Sequence, residues 1–252
     1  MKQYVASILA FGLTVSFASI TAQAASQQKI EVPVSRVFIP KEGFDDNDQI
    51  TATVYGELPN PCYTLGKTVV SRGTSTHKLT FKQWAYLKKD GPCGTGDLID
   101  DPVEFSNDVM LGQIDSGFYQ IEYLKSDGTE GFRDFNVGRA SPTAGIDNFD
   151  YAMIHSADSA PFYHKNEAVR IHFKGWVQSK CYELVKPLRV DHIDDIFVVM
   201  PILKESGTNC EKQNQKFVEA LDLGILKPAT YMLHVRSRNG KALSQVFKVL
   251  SD

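Results

Sequence analysis

The chain is written twice. Cys62-Tyr63-Thr64-Leu65 returns as Cys181-Tyr182-Glu183-Leu184, and Ile50, Ala52, Val54, Gly56 and Leu58 match Val169, Ile171, Phe173, Gly175 and Val177 at the same offset of 119 residues. After Cys93 and Cys210 the offset falls to 112. From there Phe105, Val109, Leu111, Gly112, Tyr119, Ile121, Phe135 and Val137 match Phe217, Leu221, Leu223, Gly224, Tyr231, Leu233, Phe247 and Val249. Such a repeat constrains the fold more than any single motif, because both copies must satisfy the same pattern. It also sorts residues: shared positions belong to the scaffold, and unshared ones are where function is to be sought.

The apolar residues recur at every second position. Ile50 to Leu58 and Val169 to Val177 alternate along their whole length, the pattern of strands with one face on a core and one in water. In the first copy further strands are read at Ile30 to Ile39, Tyr63 to Ser71, Lys78 to Leu87, Phe105 to Leu111, Phe118 to Leu124 and Gly131 to Val137. The second copy supplies Tyr182 to Val190, Ile196 to Leu203, Phe217 to Leu223, Thr230 to Val235 and Ala242 to Val249, with a helix over Gln213 to Leu223 as an alternative. Gly56 and Gly175 stand on the inward side, where each is expected to admit a bulky side chain from a facing sheet. About seven short strands per hundred residues, with turns at regular intervals, predict an all-β protein of two tandem antiparallel β-sandwiches. The expected division is a first domain over 25–140, a linker over 141–147 marked by Pro142 and Gly145, and a second domain over 148–252.

Residues 1–24 have the form of a secretory signal peptide: Lys2, an apolar stretch from Val5 to Ile20, then Ala22-Gln23-Ala24 before the cleavage point. The apolar run is diluted by Gly12, Thr14, Ser16 and Ser19 and is shorter than the roughly 20 residues of a membrane span. A mature chain without a transmembrane segment, periplasmic or extracellular, is expected. Export makes the four cysteines, two per copy at matching places, a disulfide framework. Pairing Cys62 with Cys93 and Cys181 with Cys210 keeps each bridge inside its copy, although two other pairings are arithmetically open. Each such bridge closes a loop of about thirty residues and contributes roughly 3 to 4 kcal/mol through the unfolded state.

Charge argues against nucleic acid as a partner. Residues 25–140 carry 12 Lys/Arg against 17 Asp/Glu and residues 141–252 carry 14 against 13, so neither copy has the basic surface that phosphate binding requires. His155-Ser156-Ala157-Asp158-Ser159, with His164 nearby, has the residue types of nucleophilic catalysis, but no Gly-x-Ser-x-Gly elbow presents a hydroxyl and no His-Glu-x-x-His is present. A non-catalytic protein without a cofactor is expected. Three unshared features remain. Asp191, Asp194 and Asp195 offer oxygen ligands to a metal ion, and His192 between them suits a transition metal; the matching stretch Arg72 to Thr76 has no carboxylate. Asp45-Asp46-Asn47-Asp48, with Asp97, Asp100 and Asp101 of a first-copy insertion, offers a calcium site. Lys82, Trp84 and Tyr86 share one side of their strand: if Leu79 and Phe81 face the core, both rings face out and suit a sugar or a protein, whereas a bulge after Phe81 turns them inward. Trp176, flanked by Lys174 and Gln178, is either a further contact or is covered by the other domain.

Leu111-Gly112 followed by Gly117-Phe118-Tyr119, and Leu223-Gly224 followed by Pro228-Ala229-Thr230-Tyr231, look like the tyrosine corner of immunoglobulin-like domains. The chain departs from antibody domains in placing Ile121 and Leu233 where the second cysteine stands. In this it resembles bacterial exported tandem immunoglobulin-like β-sandwich proteins, and the resemblance implies a binding, adhesion or assembly role. The expected function is an exported binding or adhesion module that recognises a protein or glycan through loops and an outer sheet face. The rival readings are an inhibitor of a protease or other hydrolase, inserting the loop Asp90-Gly91-Pro92-Cys93-Gly94, and a metal-dependent enzyme centred on Asp191 to Asp195.

Overall fold

The computed structural model describes residues 28–73, 77–88, 93, 101–141, 149–207, 210–211 and 213–251, and every regular element among them is a strand. The N-terminal half runs β1 (Lys29–Val32), β2 (Val34–Phe38), β3 (Phe44–Asp45), β4 (Ile50–Leu58), β5 (Tyr63–Arg72), β6 (Lys78–Leu87), β7 (Val103–Gly112), β8 (Gly117–Leu124) and β9 (Glu130–Gly138). The C-terminal half runs β10 (Met153–Asp158), β11 (Phe162–Tyr163), β12 (Ala168–Val177), β13 (Tyr182–Leu184), β14 (Arg189–Ile193), β15 (Ile196–Met200), β16 (Leu203–Glu205), β17 (Gln215–Ile225), β18 (Ala229–Ser237) and β19 (Lys241–Val249). The helix considered over 213–223 is strand β17. No helix among the described residues is long and apolar enough to cross a membrane.

Strand pairing stays within each half, and the order is the same in both. In one sheet β2-β4-β7 matches β10-β12-β17; in the other β3-β9-β8-β6-β5 matches β11-β19-β18-β15-β14. Matching bulges interrupt β2 against β4 and β10 against β12, and Gly112 and Gly224 take φ of 72° and 70° at the ends of β7 and β17. Positive φ at these two ends is open to glycine at no steric cost. The tyrosines behave as the sequence anticipates: the Tyr119 hydroxyl donates to the Asp115 carbonyl at 2.8 Å and the Tyr231 hydroxyl to the Lys227 carbonyl at 2.9 Å. The disulfides are Cys62–Cys93 and Cys181–Cys210, with Cα separations of 5.4 and 5.3 Å.

Four expectations need correction. Only one sheet of each half is antiparallel throughout, β2-β4-β7 and β10-β12-β17; the other is mixed, with β6 parallel to β8, β15 to β18, β3 to β9 and β11 to β19. The single strand expected from Ile30 to Ile39 is two, because Pro33 carries no N–H for a ladder and the chain changes sheets there; β1 pairs with β6 and β2 with β4. In the C-terminal half the continuous β5–β6 hairpin becomes two short ladders, β14–β15 and β13–β16, with Pro187 and Pro201 at the breaks. Finally, the ring that fills the space at each inward glycine comes from the next strand of the same sheet. Gly56 pairs with Phe105 and Gly175 with Phe217, and a Cβ on either glycine would lie 2.9 or 2.8 Å from the ring. Each aromatic side chain thus covers backbone that glycine leaves bare.

Each half has its own apolar core, drawn from both of its sheets: Val54, Phe81, Ile121 and Phe135 in one, Phe173, Val199, Leu233 and Phe247 in the other. A third cluster joins the halves. Phe38 and Tyr55 from the N-terminal half meet Tyr151, Ile196, Val198, Met200 and Met232 from the C-terminal half. β15 is therefore buried on both faces, Phe197 and Val199 pointing to its own core and Ile196, Val198 and Met200 to the joint. Polar contacts rim this cluster. Arg236 donates to the Gly43 carbonyl and lies 3.8 Å from the Asp48 carboxylate, in a pair that is largely buried, while Lys248 pairs with Glu104 at 2.5 Å. The half-exposed pairs contribute at most about 1 kcal/mol each, and desolvation offsets much of what the buried Asp48–Arg236 pair gains, so the apolar cluster holds the joint.

His234 is fully buried in this joint, its ring edge on Phe44 and its Nδ1 3.2 Å from the Ser244 hydroxyl. Burial, reinforced by the neighbouring Arg236 charge, pushes the imidazole down to about 3. An unfolded histidine takes up its proton near pH 6.5. Between those values the unfolded chain binds more protons, so the stability tied to neutral His234 is complete above pH 6.5 and is lost as pH falls, by at most about 1.4 kcal/mol per unit. Urea midpoints measured from pH 6.5 to 5, above the carboxylate range, are expected to fall in the native chain and to fall less in His234→Gln. Met232→Ala, which empties a fully buried site in the joint, is expected to cost about 2 to 5 kcal/mol in the same assay.

Candidate binding face

Strand β6 places the first set of candidate residues. Leu79, Phe81, Gln83 and Ala85 alternate inward and are all buried, so Lys82, Trp84 and Tyr86 stand on the opposite face. There is no bulge between Phe81 and Trp84, and neither ring belongs to the core. Gln83 is the unusual inward residue, a buried amide in an apolar layer, and a burial of this kind requires hydrogen bonds. Its Nε2 donates to the Gly66 and Trp84 carbonyls at 2.8 and 2.9 Å, and its Oε1 accepts from the Thr68 hydroxyl at 2.5 Å. Asn107 of β7 donates to the same Thr68 hydroxyl at 2.9 Å. This network pins the irregular Gly66-Lys67 step of β5 and ties the edges of the two sheets together.

The surface above that network is a broad groove. Trp84 and Tyr86 line it with Lys29, and Val69 and Met110 of the edge strands β5 and β7 complete its apolar part. The Lys29 ammonium sits 3.8 Å from the centre of the Trp84 ring, a cation–π contact, and the Tyr86 ring lies over Gly66, where a Cβ would come within 2.7 Å of it. Lys82 reaches toward Glu31 at 3.6 Å. Beyond β6 the same sheet face carries Phe118 and Phe132, 60% and 50% exposed, on β8 and β9.

Trp176 stands apart from these residues, on β12 of the other half. It lines a separate recess with Met153, Gln178 and Arg238, and its ring is covered by a parallel stack on His155 at 5.5 Å. The cover comes from its own half, not from the neighbouring one. His155, Asp158 and Ser159 are each turned to another partner: the His155 Nδ1 lies 3.3 Å from the Lys174 carbonyl, Asp158 pairs with Lys174 at 2.7 Å, which holds its carboxyl below the usual range, and the Ser159 hydroxyl meets the Ala160 carbonyl.

Asp191, Asp194 and Asp195 are not brought together around a common point; among the described residues no group of three metal-ligating side chains gathers. Asp194 and Asp195 form the two-residue tip of the β14–β15 hairpin, Asp194 at φ 54°. That tip docks on the N-terminal half, Asp194 pairing with Arg133 at 3.3 Å and Asp195 with Arg36, while Asp191 pairs with Arg189 at 3.3 Å. The acidic loop absent from the first copy is thus a docking element. In the other acidic loop, Asp48 accepts from the Asp45 backbone N–H at 2.9 Å and Asp46 from that of Ala140 at 3.0 Å. Asp97, Asp100 and the loop Asp90 to Gly94, Cys93 excepted, lie outside the described residues.

Sequence reasoning missed the residues of the joint. Their signal was present in Ile196-Phe197-Val198-Val199-Met200, an unbroken apolar run in place of alternation, which marks a strand covered on both faces. Comparison with protein-family models, with curated proteins and with solved structures gives no match. The geometry of β6 yields a direct contrast. Phe81→Ala is expected to destabilise the chain by about 3 to 5 kcal/mol and Trp84→Ala by under about 1 kcal/mol, read from chemical denaturation of the two variants side by side.

Proposed function

We propose that the chain is an exported, non-catalytic binding module that recognises a protein or a glycan through the outer face of β6, β8 and β9. The observation that carries this reading is an asymmetry between matched faces. The parallel registers β6–β8 and β15–β18 equate Lys78, Thr80 and Lys82 with Ile196, Val198 and Met200, and Gln120 with Met232. In the C-terminal half that face is apolar and buried in the joint. In the N-terminal half it is polar, uncovered, and carries Trp84, Tyr86, Phe118 and Phe132. Phe118 and Phe132, left half in water, and the partly exposed Trp84 and Tyr86 are not needed by the scaffold, since the other half has no such rings on that face, and a few such anchors commonly supply most of an interface's affinity.

The same reading takes the halves as two copies of one immunoglobulin-like β-sandwich, divided near residues 141–147. Matched strand order, matched bulges, the paired tyrosine hydrogen bonds and one bridge per half support it. The parallel β6–β8 and β15–β18 ladders make it a variant of the antiparallel arrangement. Both bridges fit an oxidising compartment, in keeping with a cleaved export signal over 1–24.

A glycan array and affinity capture from the cell envelope, each run with the mature chain and with Trp84→Ala, test the assignment. The variant is expected to lose about tenfold or more in affinity for whatever the native chain retains, with a melting temperature within about 2 °C of native. Equal retention by both proteins would remove the β6 face from the function.

A further inference from the structure

We propose that the cleft between the two halves binds a small organic cation, an ammonium or guanidinium group carried on an apolar stem. This site is distinct from the β6 face and does not depend on it. The cleft has a volume of about 270 Å³. At roughly 30 Å³ per water-sized group, that admits a ligand of the size of one long side chain.

Its floor is apolar. Tyr151, Val198 and Met200 from the joint form the base, and Phe149, 44% exposed, stands at the mouth. The Phe149 and Tyr151 ring centres are 6.2 Å apart and tilted by 56°, so the two rings make a corner that offers π surface to a cation from two directions.

The charged groups select the sign of that occupant. Four carboxylates line the cleft, Glu42, Asp45 and Asp48 from the N-terminal half and Asp191 from the C-terminal half, against two guanidinium groups. Both arginines are already engaged. Arg236 is held by Asp48, the Gly43 carbonyl and the face of Phe44, and Arg189 by Asp191 at 3.3 Å. An anion entering here would meet four carboxylates and two guanidinium groups, both already paired. A cation would meet Glu42 at the rim and the aromatic corner below, and its stem would cover the apolar base. Because the lining comes from both halves, a bound cation also adds to the free energy that keeps them docked.

Calorimetric titration of the mature chain with three probes tests this: N-acetyl-arginine amide, spermidine, and the neutral N-acetyl-norleucine amide. Saturable binding is expected for at least one cation, with norleucine amide weaker by about tenfold, and the tighter cation separates a peptide side chain from a free polyamine as the source. Glu42→Gln and Phe149→Ala are each expected to weaken that binding by about fivefold while the unliganded melting temperature stays unchanged, since both side chains are exposed. Equal affinity for the neutral probe, indifference to both substitutions, or no saturation by either cation at tens of millimolar would overturn the proposal.

Discussion

The sheet formed by β11, β19, β18, β15 and β14 is dry on both sides around β15 and the middle of β18, and the arrangement of the molecule follows from that. A strand such as Ile196–Met200, apolar at every position, cannot end at solvent without leaving Ile196, Val198 and Met200 wet. Phe38 and Tyr55 of the other half remove them from water. Once the halves are docked for this reason, the groups at the edge of the contact acquire their partners: the hairpin tip Asp194-Asp195 reaches Arg133 and Arg36, and Arg236 closes on Asp48. His234 loses contact with water and, with it, its ability to hold a proton near neutrality.

Docking also breaks the symmetry that the repeat implies. Two copies of one strand order present two equivalent sheet faces, and the joint uses one of them. The substitutions Ile196 for Lys78, Val198 for Thr80 and Met200 for Lys82 decide which. With lysine at two of these positions, the N-terminal face is costly to bury in the same way, which keeps it open and disfavours head-to-tail addition of further chains. The proposed recognition face and the joint are thus alternative uses of one scaffold surface, and the cleft beside the joint is lined from both halves.

Much of the strand pattern was legible in the sequence. Period-two alternation located β4, β6, β7, β8, β9, β12, β18 and β19 to within two residues, and the matched cysteines anticipated both bridges. The outward side of β6 followed from the same alternation once no bulge intervened. What was not legible depends on partners remote in sequence. Alternation is blind to strand direction, so the parallel ladders could not be read from it. Pro33, Pro187 and Pro201 were visible, yet a proline marks only a missing donor and not which sheet the chain joins next. The carboxylates of Asp194 and Asp195 were conspicuous for their charge, but their arginine partners lie 61 and 159 residues away in sequence, in the other half.

The central claim is that one sheet face is sealed by the joint while its counterpart is open. Hydroxyl-radical footprinting of the mature native chain, with oxidation quantified at individual residues by mass spectrometry, tests it in one measurement. The account predicts that Met232 and Met200, 0% and 7% exposed, stay protected, while Trp84 and Phe118 are modified and Met110, 75% exposed, reacts as the internal reference. Oxidation of Met232 and Met200 at the rate of Met110 would mean that the halves do not dock through this face, and would contradict the account.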